Sequence, residues 1–87
     1  MDRNPDCRLF VSNLDYNTDK NDLRYFFGGY GSVVDVYIPF DKAASNYRNL
    51  GYAFVEMAKT SEAQEAINNL NETEGPKNRT MYVKFAN

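Results

Sequence analysis

The stretch G-Y-A-F-V-E-M, residues 51–57, decides the fold of this chain. Small or aliphatic residues alternate in it with Tyr52, Phe54 and Glu56, and a period of two is typical of a β-strand with one face in a core. Because successive side chains of a strand point to opposite faces, Tyr52, Phe54 and Glu56 all point away from that core. We therefore expect a central strand whose outer face carries aromatic rings.

Three more strands and two helices are predicted on either side of this stretch. Apolar residues at i, i+3, i+4 and i+7 give each helix a single apolar stripe, and alternation or β-branched residues mark the strands. Thr18 and Thr60 supply hydroxyls suited to capping the two helix starts. The predicted segments are a strand at Arg8–Ser12, a helix after Thr18, a strand at Ser32–Ile38, a polar hairpin loop at Phe40–Asn49, the strand at Gly51–Met57, a helix after Thr60, a turn-rich link at Asn71–Thr80 and a strand at Met81–Phe85.

The order of these elements is βαββαβ, which is that of a ferredoxin-like α+β sandwich. Both βαβ crossovers must be right-handed and each helix has one apolar stripe, so both helices pack on the same face of one sheet. We predict a four-stranded antiparallel sheet with strand order 4-1-3-2, in which the first and third strands form the central pair. The opposite face of the sheet is left open.

Aromatic residues are abundant in this chain. Its seven Tyr and six Phe are more than a core of this size readily encloses, so some of them must face water or a ligand. Strand parity assigns five of them to the open face, together with two cations and two carboxylates. Those residues are Arg8, Phe10, Asp35, Tyr37, Tyr52, Phe54, Glu56, Tyr82 and Lys84. Flat rings stack on bases and cations neutralise phosphates, so this surface favours single-stranded nucleic acid as the ligand.

Composition argues against several other classes of protein. The 87 residues suffice for one domain, which we expect to cover 1–87 with an ordered core at about 7–86. A single Cys7 and the absence of His argue against a disulfide, a zinc site and His-based catalysis, so we predict no metal, no cofactor and no enzymatic activity. A formal charge of -2 means that a nucleic acid must be held by a local patch. Without a long apolar run or a secretory signal, we predict an intracellular protein of the nucleus or cytoplasm that has no membrane partner.

Three segments of the chain resemble the RNA recognition motif family. They are the hexamer L-F-V-S-N-L at residues 9–14, the octamer L-G-Y-A-F-V-E-M at residues 50–57 and the helix pattern L-x-x-F-F-x-x-Y-G at residues 23–31. The resemblance spans nearly the whole chain, and it implies that bases of single-stranded RNA stack on Phe10, Tyr52 and Phe54. Strand parity assigns the same three rings to the open face without reference to the motif.

Two positions of the octamer depart from the family pattern. Leu50 stands where the family has Lys or Arg, so a contact to RNA is absent or is supplied by Arg48 or Arg8. Met57 replaces an aromatic residue, but parity turns it toward the core, where its flexible side chain fills a gap. Around the three rings, the secondary RNA-binding residues that we predict are Arg8, Tyr37, Arg48, Tyr82 and Lys84.

Other functions are compatible with the same fold. A protein-interaction module would bind a peptide or a partner protein, and the acidic balance favours it, whereas rings flanked by Arg8 and Lys84 favour RNA. The rings could also serve only to stabilise the sheet by cross-strand packing. An enzyme would need a C-x-x-C pair, a Gly-rich phosphate loop or clustered carboxylates, which the sequence lacks. We expect a monomer that binds single-stranded RNA or single-stranded DNA, alone or together with further domains or protein partners.

Overall fold

A computed structural model of the chain describes residues 7–41 and 49–86. The elements in these ranges are β1 (Arg8–Ser12), α1 (Lys20–Phe27), β2 (Val33–Tyr37), β3 (Tyr52–Met57), α2 (Thr60–Leu70), β4 (Thr73–Glu74) and β5 (Thr80–Phe85). A short 3-10 helix at Pro76–Asn78 precedes β5. The two helices and the four longer strands follow the order βαββαβ, which confirms the predicted ferredoxin-like α+β fold.

β1 and β3 are the central pair of an antiparallel sheet whose strand order is β2-β3-β1-β5-β4. Without the short edge strand β4, this is the predicted order 4-1-3-2. Phe10 lies opposite Phe54 of β3 on one side and opposite Lys84 of β5 on the other. Side chains from three strands therefore meet on one face of the sheet.

The opposite face of the sheet and both helices enclose the core. Burial alternates along β1 and β3 as the sequence predicts, and the residues between the buried ones are only half-buried. Apolar side chains from all of these elements form one cluster, whose buried members include Leu9, Val11, Ala53, Val55, Met57, Met81 and Val83 of the strands and Leu23, Phe27, Ala63, Ala66 and Leu70 of the helices. Because the helices occupy one face only, the other face remains available to a ligand.

Both helix starts differ by one residue from the sequence prediction. The N-cap of α1 is Asp19, not Thr18: the Asp22 N–H donates to Asp19 Oδ1 at 2.8 Å, and the Asp19 N–H donates to Asp22 Oδ2 at 3.1 Å. In α2, Thr60 is the first helical residue, and the N-cap, Lys59, makes no side-chain capping bond. At α1 the prediction was wrong because a hydroxyl and a carboxylate both suit this role, and the local sequence does not decide between Thr18 and Asp19. At α2 the N-cap residue has neither group.

The link predicted at Asn71–Thr80 contains a strand that the sequence does not reveal. In β4, Thr73 lies opposite Met81 and Glu74 lies opposite Thr80. The Gly75 N–H continues this pairing by donating to the Arg79 carbonyl at 2.9 Å. A strand of two residues is too short to show any alternation, which is why the link has only a turn-like composition.

β2 is one residue shorter at each end than the predicted strand. An irregularity between Val33 and Asp35 leaves Val34 exposed, and beyond it Asp35 still lies on the open face, opposite Glu56. Past the strand, an isolated bridge joins Phe40 and Asn49. Most of the predicted hairpin loop, including Arg48, lies outside the described residues.

Candidate nucleic-acid interface

Three aromatic rings at the centre of the open face form what we call the ring triplet: Phe10, Tyr52 and Phe54. The Phe10 centroid lies 5.5 Å from that of Tyr52 and 5.5 Å from that of Phe54, and Tyr52 and Phe54 are 6.1 Å apart. The pairs are tilted or perpendicular, so the rings touch without stacking face to face. Mutual contact fixes the rings in place and leaves ring surface for a flat ligand.

Two tyrosines extend the aromatic surface onto neighbouring strands. Tyr37 of β2 lies opposite Phe54 and is nearly parallel to it, with an interplanar angle of 18° and a centroid distance of 6.4 Å. Tyr82 of β5 lies opposite Ser12 and, like Tyr37, has about half of its surface exposed. The structure thus brings Tyr37 to the ring triplet and places Tyr82 at the margin near the end of β1.

The two predicted cations of the strands lie over the rings. Arg8 Cζ is 4.5 Å from the Phe54 centroid, and Lys84 Nζ is 5.6 Å from the Phe10 centroid. Both distances are within the reach of a cation–π contact, which is worth about 0.5–1 kcal/mol at an exposed site. A base that stacks on Phe54 must displace the Arg8 guanidinium or lie against it. Displacement costs little free energy because the contact is weak, and lying against it is favourable because guanidinium planes also stack on bases.

Carboxylates give the Arg8 end of the open face a mixed charge. Glu56 lies opposite Arg8 in β1 and opposite Asp35 in β2. Two acidic side chains beside one cation lower the local positive potential. This end of the face is therefore less suited to a polyanion than the cation count alone indicates.

Asn49 supports the other end of the open face, and the sequence analysis missed it. Its side chain is 2% exposed; Nδ2 donates to the carbonyls of Asp15 and Thr18 at 3.1 and 3.0 Å, and Oδ1 accepts from the Gly51 N–H at 2.7 Å. These bonds tie the connection after β1 to the start of β3. An Asn in a polar loop gives no signal of burial, so only the fold reveals this role.

Of the predicted interface residues, the structure brings six together on the open face: Arg8, Phe10, Tyr37, Tyr52, Phe54 and Lys84. Tyr82 is near them, and Arg48 is outside the described residues. Within the described ranges, no three acidic or thiol side chains are grouped as a metal ion would require. None of the helices that the structure describes is both long and apolar enough to cross a bilayer. Stacking and charge contacts are thus the chemistry that this face offers.

Comparison with known families agrees with the geometry. The family model for the RNA recognition motif matches residues 9–86. The chain belongs to the RNA recognition motif family. Its relatives include the chloroplastic RNA-binding protein CP33 of Arabidopsis thaliana, with 40% identity over 78 residues that cover 90% of this chain and 23% of the relative. Nuclear polyadenylated RNA-binding protein 4 of Saccharomyces cerevisiae is 34% identical over 61 residues, which cover 70% of this chain and 11% of that protein.

Two solved structures, both of RNA-associated proteins, superpose closely on this chain. A complex of the Sxl-lethal protein with RNA matches with a TM-score of 0.85 and 38% identity, over 93% of this chain and 48% of that one. The RNA binding protein PG1 matches with a TM-score of 0.82 and 31% identity, over 92% of this chain and 93% of that one. The chain therefore spans a small part of the relatives found by sequence but nearly all of PG1.

Proposed function

We propose that this chain is a single RNA recognition motif domain that binds single-stranded RNA by stacking bases on the ring triplet. The observation that carries the proposal is the contact among Phe10, Tyr52 and Phe54, on the sheet face opposite to the two helices of the described residues. Half-buried rings at these distances present one surface to unstacked bases, which are flat, apolar on their faces and splayed in single-stranded RNA.

The similar proteins favour RNA over the protein-interaction alternative. Relatives from a plant and a yeast are named as RNA-binding proteins, and one structural match is a complex with RNA. A surface that only stabilised the sheet would have no need of two cations beside the rings, where Arg8 and Lys84 lie. Both observations point to a ligand with bases and phosphates.

In the proposed mechanism, one RNA strand crosses the sheet with a base on each ring of the triplet. Each stacked base is expected to contribute about 1–3 kcal/mol, as judged by alanine substitution. Tyr37 and Tyr82 extend the stacking surface, while Arg8, Arg48 and Lys84 contact phosphates or the edges of bases. Single-stranded DNA has the same backbone charge, and its bases differ only by the thymine methyl group, so we expect contacts to the ribose 2′-hydroxyl to discriminate between the two.

Enzymatic activity forms no part of this proposal, since stacking and charge contacts suffice for it. A nuclear or cytoplasmic location and a monomeric state also stay predictions. One relative is named as a chloroplastic protein and another as a nuclear one. Both names fit an intracellular location for this chain, but they do not agree on one compartment.

The proposal is tested by an amide NMR titration with a pool of short single-stranded RNAs of random sequence. We expect chemical-shift changes that cluster on β1 and β3, and Tyr52→Ala and Phe54→Ala should each lose most of them. Tyr25→Ala is the matched control, because Tyr25 lies on α1 with 81% of its surface exposed. It removes an aromatic ring without touching the open face.

The outcomes separate the competing functions. Shifts that persist in the Tyr52 and Phe54 variants, provided both remain folded, would rule out stacking on the ring triplet. Absence of any shift at high RNA concentration would instead favour a partner protein as the ligand of the same face. The same titration with DNA of matching base composition shows whether the 2′-hydroxyl matters.

A further inference from the structure

A cation that the sequence does not single out, Arg79, lies beside the end of the sheet that is far from Arg8. Arg79 immediately precedes β5, and its side chain reaches Asn13, which follows the last residue of β1. That last residue, Ser12, lies opposite Tyr52 in β3 and opposite Tyr82 in β5. Arg79 is therefore anchored next to the strand ends that carry Tyr52 and Tyr82.

Two hydrogen bonds fix the Arg79 guanidinium in position. Nε donates to the Asn13 carbonyl at 3.1 Å, and Nη2 donates to Asn13 Oδ1 at 3.0 Å. Asn13 is itself held, because its Nδ2 donates to the Thr80 carbonyl at 2.8 Å, and it adopts a φ of 62°. A left-handed backbone conformation is tolerated by Asn better than by most residues, which explains how this residue can turn both of its oxygens toward Arg79.

The held guanidinium keeps both its charge and its capacity to bind. Both oxygens that Asn13 offers are neutral, so they orient the cation without cancelling its charge. A guanidinium has five N–H donors in a planar fork, and among the described residues two of them have a partner. The side chain is exposed, so the remaining donors are accessible. A planar fork of this kind matches the two free oxygens of a phosphate.

Cations consequently occur at both ends of the strands that carry the rings. Arg8 begins β1 and Asn13 follows its end, so their Cα atoms are separated by roughly 17 Å at the rise of an extended strand. An RNA strand that lies across the ring triplet would meet Arg8 and Lys84 at one end and Arg79 at the other. We propose that Arg79, positioned by Asn13, binds a backbone phosphate of the RNA at the Tyr52 end. This inference rests on the proposed RNA-binding function.

The test measures binding of labelled octauridine and octaadenosine by fluorescence anisotropy over a series of NaCl concentrations. Arg79→Gln should weaken binding of both RNAs several-fold, and it should reduce the slope of log K against log salt by about 0.7, the value for one phosphate contact on a single strand. Lys77→Gln removes an equal charge from the same segment and is the matched control, expected to leave affinity and slope nearly unchanged. Thermal unfolding checks that both variants are folded.

The role of Asn13 has a separate test. Asn13→Gly keeps the carbonyl that accepts from Nε and suits the positive φ, but it removes Oδ1 and also the Nδ2 bond to the Thr80 carbonyl. We expect a smaller loss of affinity than in Arg79→Gln, with the salt slope largely kept because the cation is still present. Added to Arg79→Gln, the same change should have no further effect, since the two residues act as a unit.

Each result bears on a specific claim. An unchanged salt slope in Arg79→Gln, while Phe54→Ala still weakens binding, would overturn the phosphate contact and leave the proposed function intact. A loss confined to one of the two homopolymers would also overturn it, because a phosphate contact does not depend on the base. If the wild-type domain binds neither homopolymer nor the random-sequence pool, the proposed function fails, and this inference fails with it.

Discussion

Leu50 occupies the position at which the family has Lys or Arg, and 45% of its surface is exposed just before β3. Its backbone N–H donates to the Pro39 carbonyl at 3.1 Å, a bond that does not depend on the side chain. We predict that Leu50→Lys strengthens binding to octauridine several-fold and makes the salt slope steeper by about 0.7, because it adds one phosphate contact. Leu50→Gln is the control for loss of the apolar side chain. Equal affinities of the Lys and Gln variants would show that no phosphate passes this position.

Asn49 is a residue whose effect should fall on stability. Asn49→Ala leaves two carbonyls and one N–H without their side-chain partner, and each such buried group costs about 1–3 kcal/mol. We predict a decrease in the free energy of unfolding of about 2–5 kcal/mol, measured by urea denaturation. Asn69→Ala removes a single exposed bond to the Glu65 carbonyl and should cost under about 0.5 kcal/mol. Similar costs for the two variants would contradict the supporting role of Asn49.

At the scale of the elements, the start of α1 tests which side chain caps the helix. Asp19→Ala removes the acceptor of the Asp22 N–H and should lower the free energy of unfolding by about 0.5–2 kcal/mol. Thr18→Val should be neutral or stabilising, because the buried Thr18 hydroxyl has no hydrogen-bond partner among the described residues. Urea denaturation measures both changes. A larger cost for Thr18→Val than for Asp19→Ala would restore Thr18 as the cap.

At the scale of the whole molecule, the sequence predicts what depends on periodicity and misses what depends on distant contacts. Alternation in β1 and β3 is enough to place Phe10, Tyr52 and Phe54 together, because the outward-pointing side chains of neighbouring strands lie on the same face of the sheet. The contact of Arg79 with Asn13 joins residues 66 positions apart, and β4 is too short for a pattern. Neither leaves a trace in a local window of sequence. The burial of Asn49 likewise depends on distant residues, because its side chain donates to the carbonyls of Asp15 and Thr18, which are 34 and 31 positions away.

The number of phosphates that the molecule contacts, and not its net charge, sets the salt dependence of RNA binding. The chain has a formal charge of -2, so attraction for RNA must come from the few cations near the ring triplet. If Arg8, Lys84 and Arg79 each neutralise one phosphate, log K should fall with log salt with a slope of about -2. Fluorescence anisotropy with octauridine over a series of NaCl concentrations measures the slope, and Lys59→Gln at the start of α2 should not change it. A slope steeper than about -5 would require many more phosphate contacts than these cations offer. A slope near zero would mean that stacking alone holds the RNA, with Arg8 and Lys84 still on the rings that they cover in the free protein and Arg79 still on Asn13.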